Sequence, residues 1–246
     1  MKLFRVLAIA DKEWHQAFTR WSAWSAIIIP QAALTSLLLY ILHVLSVLHG
    51  NALPDWIMDY FLMFFVAMPA LNATIIAASG IMADKAAKSL EPLLVTPLTP
   101  LEFMAGKLLV AVLPPLLVTG IACHIFIQVA GGWGLIKSNF FEDIGGGPCL
   151  AAIMTMTLLL TNLVALNGLL IAARKTEARS AALSSTTAAE GILLLPFAGV
   201  YYGNLHQMNG GLWVAEVIGL LLLANVAVFL FGLHQFRREN ILFKWK

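Results

Sequence analysis

Six apolar stretches, each long enough to cross a lipid bilayer, constrain this chain more than any other feature. They fall at 24–48, 57–82, 105–129, 149–173, 180–202 and 212–236, and a spanning helix needs about 20 apolar residues to bridge the hydrocarbon. In lipid the backbone must satisfy its own N–H and C=O groups, which a helix does within a single segment. The expected fold is therefore an all-α integral membrane domain of six transmembrane helices. With 246 residues in total, six spans leave room for short connections and for no sizeable extramembrane domain. Composition agrees: 60% of residues are hydrophobic, 11% are charged and the mean hydropathy is +0.86, far from the balance of a soluble domain. Two cysteines, Cys123 and Cys149, exclude a disulfide framework, and no bridge between them is expected.

The net charge is +2, so the placement of charges says more than their sum. Lys2, Arg5, Lys12 and Arg20 precede the first span. Lys85, Lys88 and Lys107 lie around the second connection, Arg174, Lys175 and Arg179 around the fourth, and Arg237, Arg238, Lys244 and Lys246 follow the last span. Lys137 falls on the other side, which leaves fourteen of the fifteen Lys and Arg residues on one face. The positive-inside rule assigns that face to the cytosol, with both termini there. No basic or acidic tail suggests nucleic-acid binding. The outer connections carry Asp55, Glu142, Asp143 and the glycine runs 131–132 and 145–147, as short exposed turns do.

Residues 1–23 mix charges with apolar positions, unlike a secretory signal, and are expected to be retained. Phe4, Leu7, Trp14, Phe18 and Trp21 recur at helical spacing. They predict an amphipathic helix lying along the interface. Residues 24–236 form the membrane domain, and 237–246 a cytosolic basic tail.

The connection at 83–104 is the most informative stretch. Ser89 can cap a short helix, Pro92 is tolerated in its first turn, Leu90, Leu93 and Leu94 form an apolar ridge, and Pro97 stops it. Thr99 followed by Pro100 and Glu102 reads as a capping box that opens a new helix running into the third span. A stiff, leucine-ridged cytosolic helix needs something to cover its ridge, either the membrane surface or a second protein.

The run Ser89-Leu90-Glu91-Pro92-Leu93-Leu94-Val95-Thr96-Pro97-Leu98-Thr99, with Glu102 and Gly106-Lys107 after it, resembles the signature segment of ATP-binding-cassette (ABC) type-2 exporter permeases. Arg179-Ser180-Ala181-Ala182 through Leu193-Leu194-Leu195-Pro196 is similar to the fifth span of that family, and Phe236-Arg237-Arg238-Glu239 to its exit from the sixth. Pro92 stands where the family more often has a polar residue. The resemblance implies the type V exporter fold: an N-terminal interfacial elbow helix, six spans and a cytosolic coupling helix. It further implies a dimer with a second copy or a homologous permease, in a bacterial cytoplasmic membrane. By carry-over, Ser89, Leu90, Glu91, Leu93, Leu94, Val95, Thr96 and Pro97 would dock on a separate ABC ATPase, which would hold the ATP and Mg²⁺. No cofactor is expected in this chain. Gly106-Lys107 continues with Leu108 and is no phosphate-binding loop. It reads as a small residue and a snorkelling lysine at a helix end.

Polar residues inside spans are costly and need a reason. Glu190 lies eleven residues beyond Arg179, roughly 16 Å along a helix and hence near the midplane. Ser180, Ser184, Thr187 and Gly191 share a stripe beside it, so this span is expected to face protein or a cavity. In the resembled family it borders the dimer interface and translocation path, which nominates Ser184, Thr187, Glu190 and Gly191; a purely structural glutamate is the competing reading. Asn72, Asn162, Asn167 and Asn225 read as hydrogen-bonding glue between helices. Adjacent Cys123 and His124 diverge by about 100° on a helix and define no metal site. Pro114-Pro115 and Pro196 predict local kinks, and Tyr201, Tyr202 and Trp213 suit an aromatic belt. A membrane-embedded enzyme is disfavoured, because the Gly-x-Ser-Gly and His-Glu-x-x-His patterns do not occur. A secondary carrier or channel remains the alternative, with Glu190 its clearest candidate relay.

Overall fold

The computed structural model describes residues 3–19, 21–49, 55–87, 99–133, 147–205 and 210–236. Among these the chain is helical, with no strand, and forms α1 (Leu3–Phe18), α2 (Trp21–His49), α3 (Asp55–Ala86), α4 (Pro100–Gly132), α5 (Gly147–Arg174), α6 (Ala178–Leu205) and α7 (Gly210–Gln235). Five of them, all but α1 and α6, contain stretches long and apolar enough to cross a membrane, which marks a multi-pass membrane protein.

Helices α3 and α5 form the centre. Most of the Met154–Arg174 stretch of α5 is buried within the chain, whereas little of Ala215–Gln235 of α7 is. Burial without a water-driven hydrophobic effect requires close packing, and small residues supply it. Ala70, Ala73, Ala77 and Ala78 of α3 are all buried. At Gly168 of α5 a Cβ atom would lie 2.8 Å from Thr74 Cγ2 and 3.0 Å from Thr74 O, so the two backbones approach as closely as glycine permits. Around this pair, α6 packs on α3 and α5, α7 on α5, and α4 on α3; α2 and α1 are carried on α4.

At one end of the bundle the helix termini are pinned to one another. Ala77, Ile81, Met104, Leu169, Ala173, Ala181 and Phe236 share one apolar cluster there. Arg174 donates to Gln235 Oε1 from Nε and Nη2 (3.2 and 3.0 Å), and Gln235 Nε2 donates to Leu170 O (3.3 Å), joining the ends of α5 and α7. Phe103 and Phe236 rings meet at 5.8 Å. This end carries the connection between α5 and α6 and the C-terminal end of α3.

The proline pair Pro114-Pro115 is buried within a continuous α4. Helix α1 divides its apolar residues between protein and the outside: Val6, Ile9, Ala10 and Phe18 are buried, with Glu13 among them, whereas Leu3, Phe4 and Leu7 are exposed, as is Trp21 at the start of α2. Trp14, Phe18 and Trp24, the last in the first turn of α2, meet through tilted and edge-on ring contacts. The reason is local: Gly106 of α4 leaves a notch in which Ile9 sits, a Cβ there falling 2.7 Å from Ile9 Cγ2 and 3.1 Å from Val6 O. The helix therefore turns its Val6–Ile9 face to protein and leaves Leu3, Phe4 and Leu7 outward.

Candidate functional site

The expected ATPase-contacting residues, Ser89 to Pro97, lie outside the described residues. The structure does show how the chain leaves the bundle before them and rejoins it afterwards. On the leading side, Lys85 Nζ donates to three carbonyls at the end of α5, those of Ala172 (3.0 Å), Ala173 (2.7 Å) and Lys175 (2.7 Å). A helix C-terminus carries unpaired carbonyls and a partial negative charge, so a lysine from another helix is a fitting cap. On the trailing side, Thr99 Oγ1 accepts from Glu102 N and Glu102 Oε2 accepts from Thr99 N, both at 3.2 Å, completing the expected capping box. Glu102 is itself buried and faces Arg5 Nη1 of α1 at 3.8 Å.

Between these two roots lies a charge cluster that sequence reading missed. Lys107 Nζ is 2.6 Å from Glu13 Oε1 and 2.6 Å from Asp84 Oδ2, and it donates to Gly80 O at 3.3 Å. Lys12 Nζ donates to Asp84 Oδ1 at 3.1 Å. The side chains of Lys107, Glu13 and Asp84 are 3%, 8% and 1% exposed. The snorkelling role expected of Lys107 is thereby corrected: two carboxylates from α1 and α3 neutralise it inside, so it has no need to reach water. Its amine also sits 5.3 Å from the centre of the Phe103 ring. Gly80 makes room, since a Cβ there would be 3.2 Å from Glu13 Oε2. Glu13, Asp84 and Lys107 are far apart in sequence, and the available signal was each one's position on an otherwise apolar helical face.

The second candidate region is on α6. Ser184 donates to Ser180 O and Thr187 to Leu183 O (2.8 Å), so both hydroxyls are absorbed by their own helix. Thr187, Glu190 and Gly191 are exposed, and nothing lies within 4 Å of a Cβ placed on Gly191. Ser185, on the opposite face, is buried and donates to Gly168 O at 3.4 Å. The stripe thus points away from this chain's own bundle.

Elsewhere, Asn162 donates to Asn225 Oδ1 at 3.0 Å, and Asn225 donates to Leu159 O at 2.9 Å, linking α5 to α7 as glue of the expected kind. Asn167 instead bonds Leu163 O of its own helix, and Asn72 Nδ2 is buried with no hydrogen-bond partner among the described residues. Cys123 is a half-buried free thiol beside an exposed His124. Among the described residues no three His, Cys, Asp or Glu side chains gather as a metal site would require. The side chains of Cys149, Pro196, Tyr201, Tyr202 and Trp213 lie outside the described residues.

No family model, curated protein or solved structure matches this chain.

Proposed function

We propose that this chain is the permease subunit of an ATP-driven ABC exporter. In this reading it has six spans, with both termini in the cytosol and α1 as the interfacial elbow helix. It lies in a cell membrane, the bacterial cytoplasmic membrane being the simplest assignment. Two copies, or one copy and a homologous permease, form the translocation path, and a separate ATPase binds ATP and Mg²⁺. Helix α6 serves as the fifth span: its 28 residues extend about 42 Å at 1.5 Å per residue, and its polar stripe accounts for its lower hydropathy.

The observation that carries the reading is the segment 88–98 together with its two roots. Its sequence resembles the coupling segment of the exporter family. Its ends are held stiffly, by Lys85 capping α5 on one side and by the Thr99–Glu102 capping box on the other. A segment that transmits force between an ATPase and a bundle needs such ends, because a slack connection would absorb the displacement. Pushed by ATPase closure, the leading root would load α3 and α5, and the trailing root α4. Thr187, Glu190 and Gly191 would then face the second subunit or the path between subunits, where a carboxylate costs less than against lipid.

The test is co-purification from the native membrane. An ATPase is expected to accompany the chain and to be lost from the Leu93→Asp/Leu94→Asp variant. Undiminished ATPase binding by that variant, with the variant folded, contradicts the assignment of 88–98.

A further inference from the structure

The two roots of the segment 88–98 are joined to each other, and to α1, through one buried charge cluster. Asp84 is two residues before the end of α3, and Lys107 two turns into α4. They meet at 2.6 Å, and Glu13 of α1 meets the same amine at 2.6 Å. Lys12 adds a second link from α1 to Asp84, and Arg5 a further approach from α1 to Glu102, the residue that closes the trailing cap. Among the described residues, two lysines and two carboxylates balance in the inner cluster. This matters because removing one partner from a buried pair strands a charge. Contact between α1 and α4 is otherwise extensive and apolar, with Ile9 seated over Gly106. Contact between α1 and α3 is sparse, so the Lys12–Asp84 and Glu13–Lys107–Asp84 interactions are the main described connection of α1 to the leading root.

We infer that Glu13, Asp84 and Lys107 are positioning residues that make α1 a moving part of the coupling machinery. Displacement of the segment 88–98 is delivered to α1 together with α3 and α4, rather than past a helix that floats on the membrane surface. The exposed side of α1, Leu3, Phe4 and Leu7, then carries that movement into the lipid interface. The inference rests on the exporter reading. It adds that α1 belongs to the coupling unit, and that its link to the leading root is ionic.

Hydrogen exchange measured on the permease–ATPase complex, with and without ATP, Mg²⁺ and vanadate, tests it. In the native complex, peptides covering 3–18, 81–87 and 99–107 should respond together. The Glu13→Gln/Asp84→Asn/Lys107→Met variant replaces the three buried charges by neutral groups and is designed to stay folded, since the remaining Lys12 is 40% exposed and can turn to water. In it, 81–87 and 99–107 should still respond while the response of 3–18 falls to the part carried by its apolar contact with α4, and Lys107→Arg alone should retain it in full. A purely structural cluster would instead lower the yield of folded complex and leave the pattern of response unchanged. A response of 3–18 that is undiminished in the triple variant, or is missing from the native complex while the roots respond, overturns the inference and leaves the exporter reading standing. Absence of any response at the two roots of the native complex removes the exporter reading, and this inference with it.

Discussion

At the residue scale, the buried charges decide most. Lys107 is enclosed between Glu13 and Asp84, so Lys107→Met should cost on the order of 3 to 5 kcal/mol by leaving two carboxylates to share Lys12. The triple neutral variant should lie well above it in thermal stability; a triple variant that unfolds as early as Lys107→Met would show that apolar packing, not charge balance, sets the cost. Thr99→Ala should cost about 1 kcal/mol, the usual loss for a helix N-cap, measurable as a small fall in Tm of the detergent-solubilised chain. The two sites differ in how readable they were. The capping box is local, with Thr99 and Glu102 three residues apart, and it formed as expected. The charge cluster joins positions 13, 84 and 107, and no spacing rule connects residues that meet through tertiary packing alone.

At the element scale, helix existence was readable from length and hydropathy, whereas the facing of each helix was not. In a soluble protein, exposure marks the polar side. Here Leu220, Leu223, Val226 and Leu230 of α7 are exposed and apolar, because lipid or another subunit takes the place of water. Helix α1 shows the same ambiguity on a smaller scale. Its Phe4–Leu7 side and its Val6–Ile9 side are both apolar, and glycine at position 106 selects the second for protein contact. Gly106→Val should push Ile9 out of its notch and loosen α1. Gly168→Val should separate α3 from α5 and be the more damaging, because it strikes the central pair. Each should cost about 1 to 3 kcal/mol from overpacking, or more where backbone must move. Thermal unfolding followed by size exclusion reads both, and equal stability of Gly168→Val and the native chain would contradict the close approach of α3 and α5.

At the scale of the whole molecule, the outward stripe of α6 bears on assembly. Sequence reasoning expected Ser184, Thr187, Glu190 and Gly191 to face protein or a cavity, and Thr187, Glu190 and Gly191 point away from their own bundle. If a second copy covers them, Thr187→Cys in a background lacking Cys123 and Cys149 should give an oxidised dimer on a gel, and an outward residue on α7 such as Leu223→Cys should not. Equal cross-linking of both would argue for random collision in the membrane. The expected span count, orientation and coupling segment rest on apolar length, charge placement and a resemblance. The base that would receive the force came from the structure, since it is assembled from α1, α3, α4 and α5 by contacts remote in sequence. The most direct test of the central claim is photo-cross-linking from a benzoylphenylalanine placed at Leu93 in native membranes. The exporter account predicts one dominant adduct with an ATP-binding protein, whereas adducts with lipid alone would contradict it.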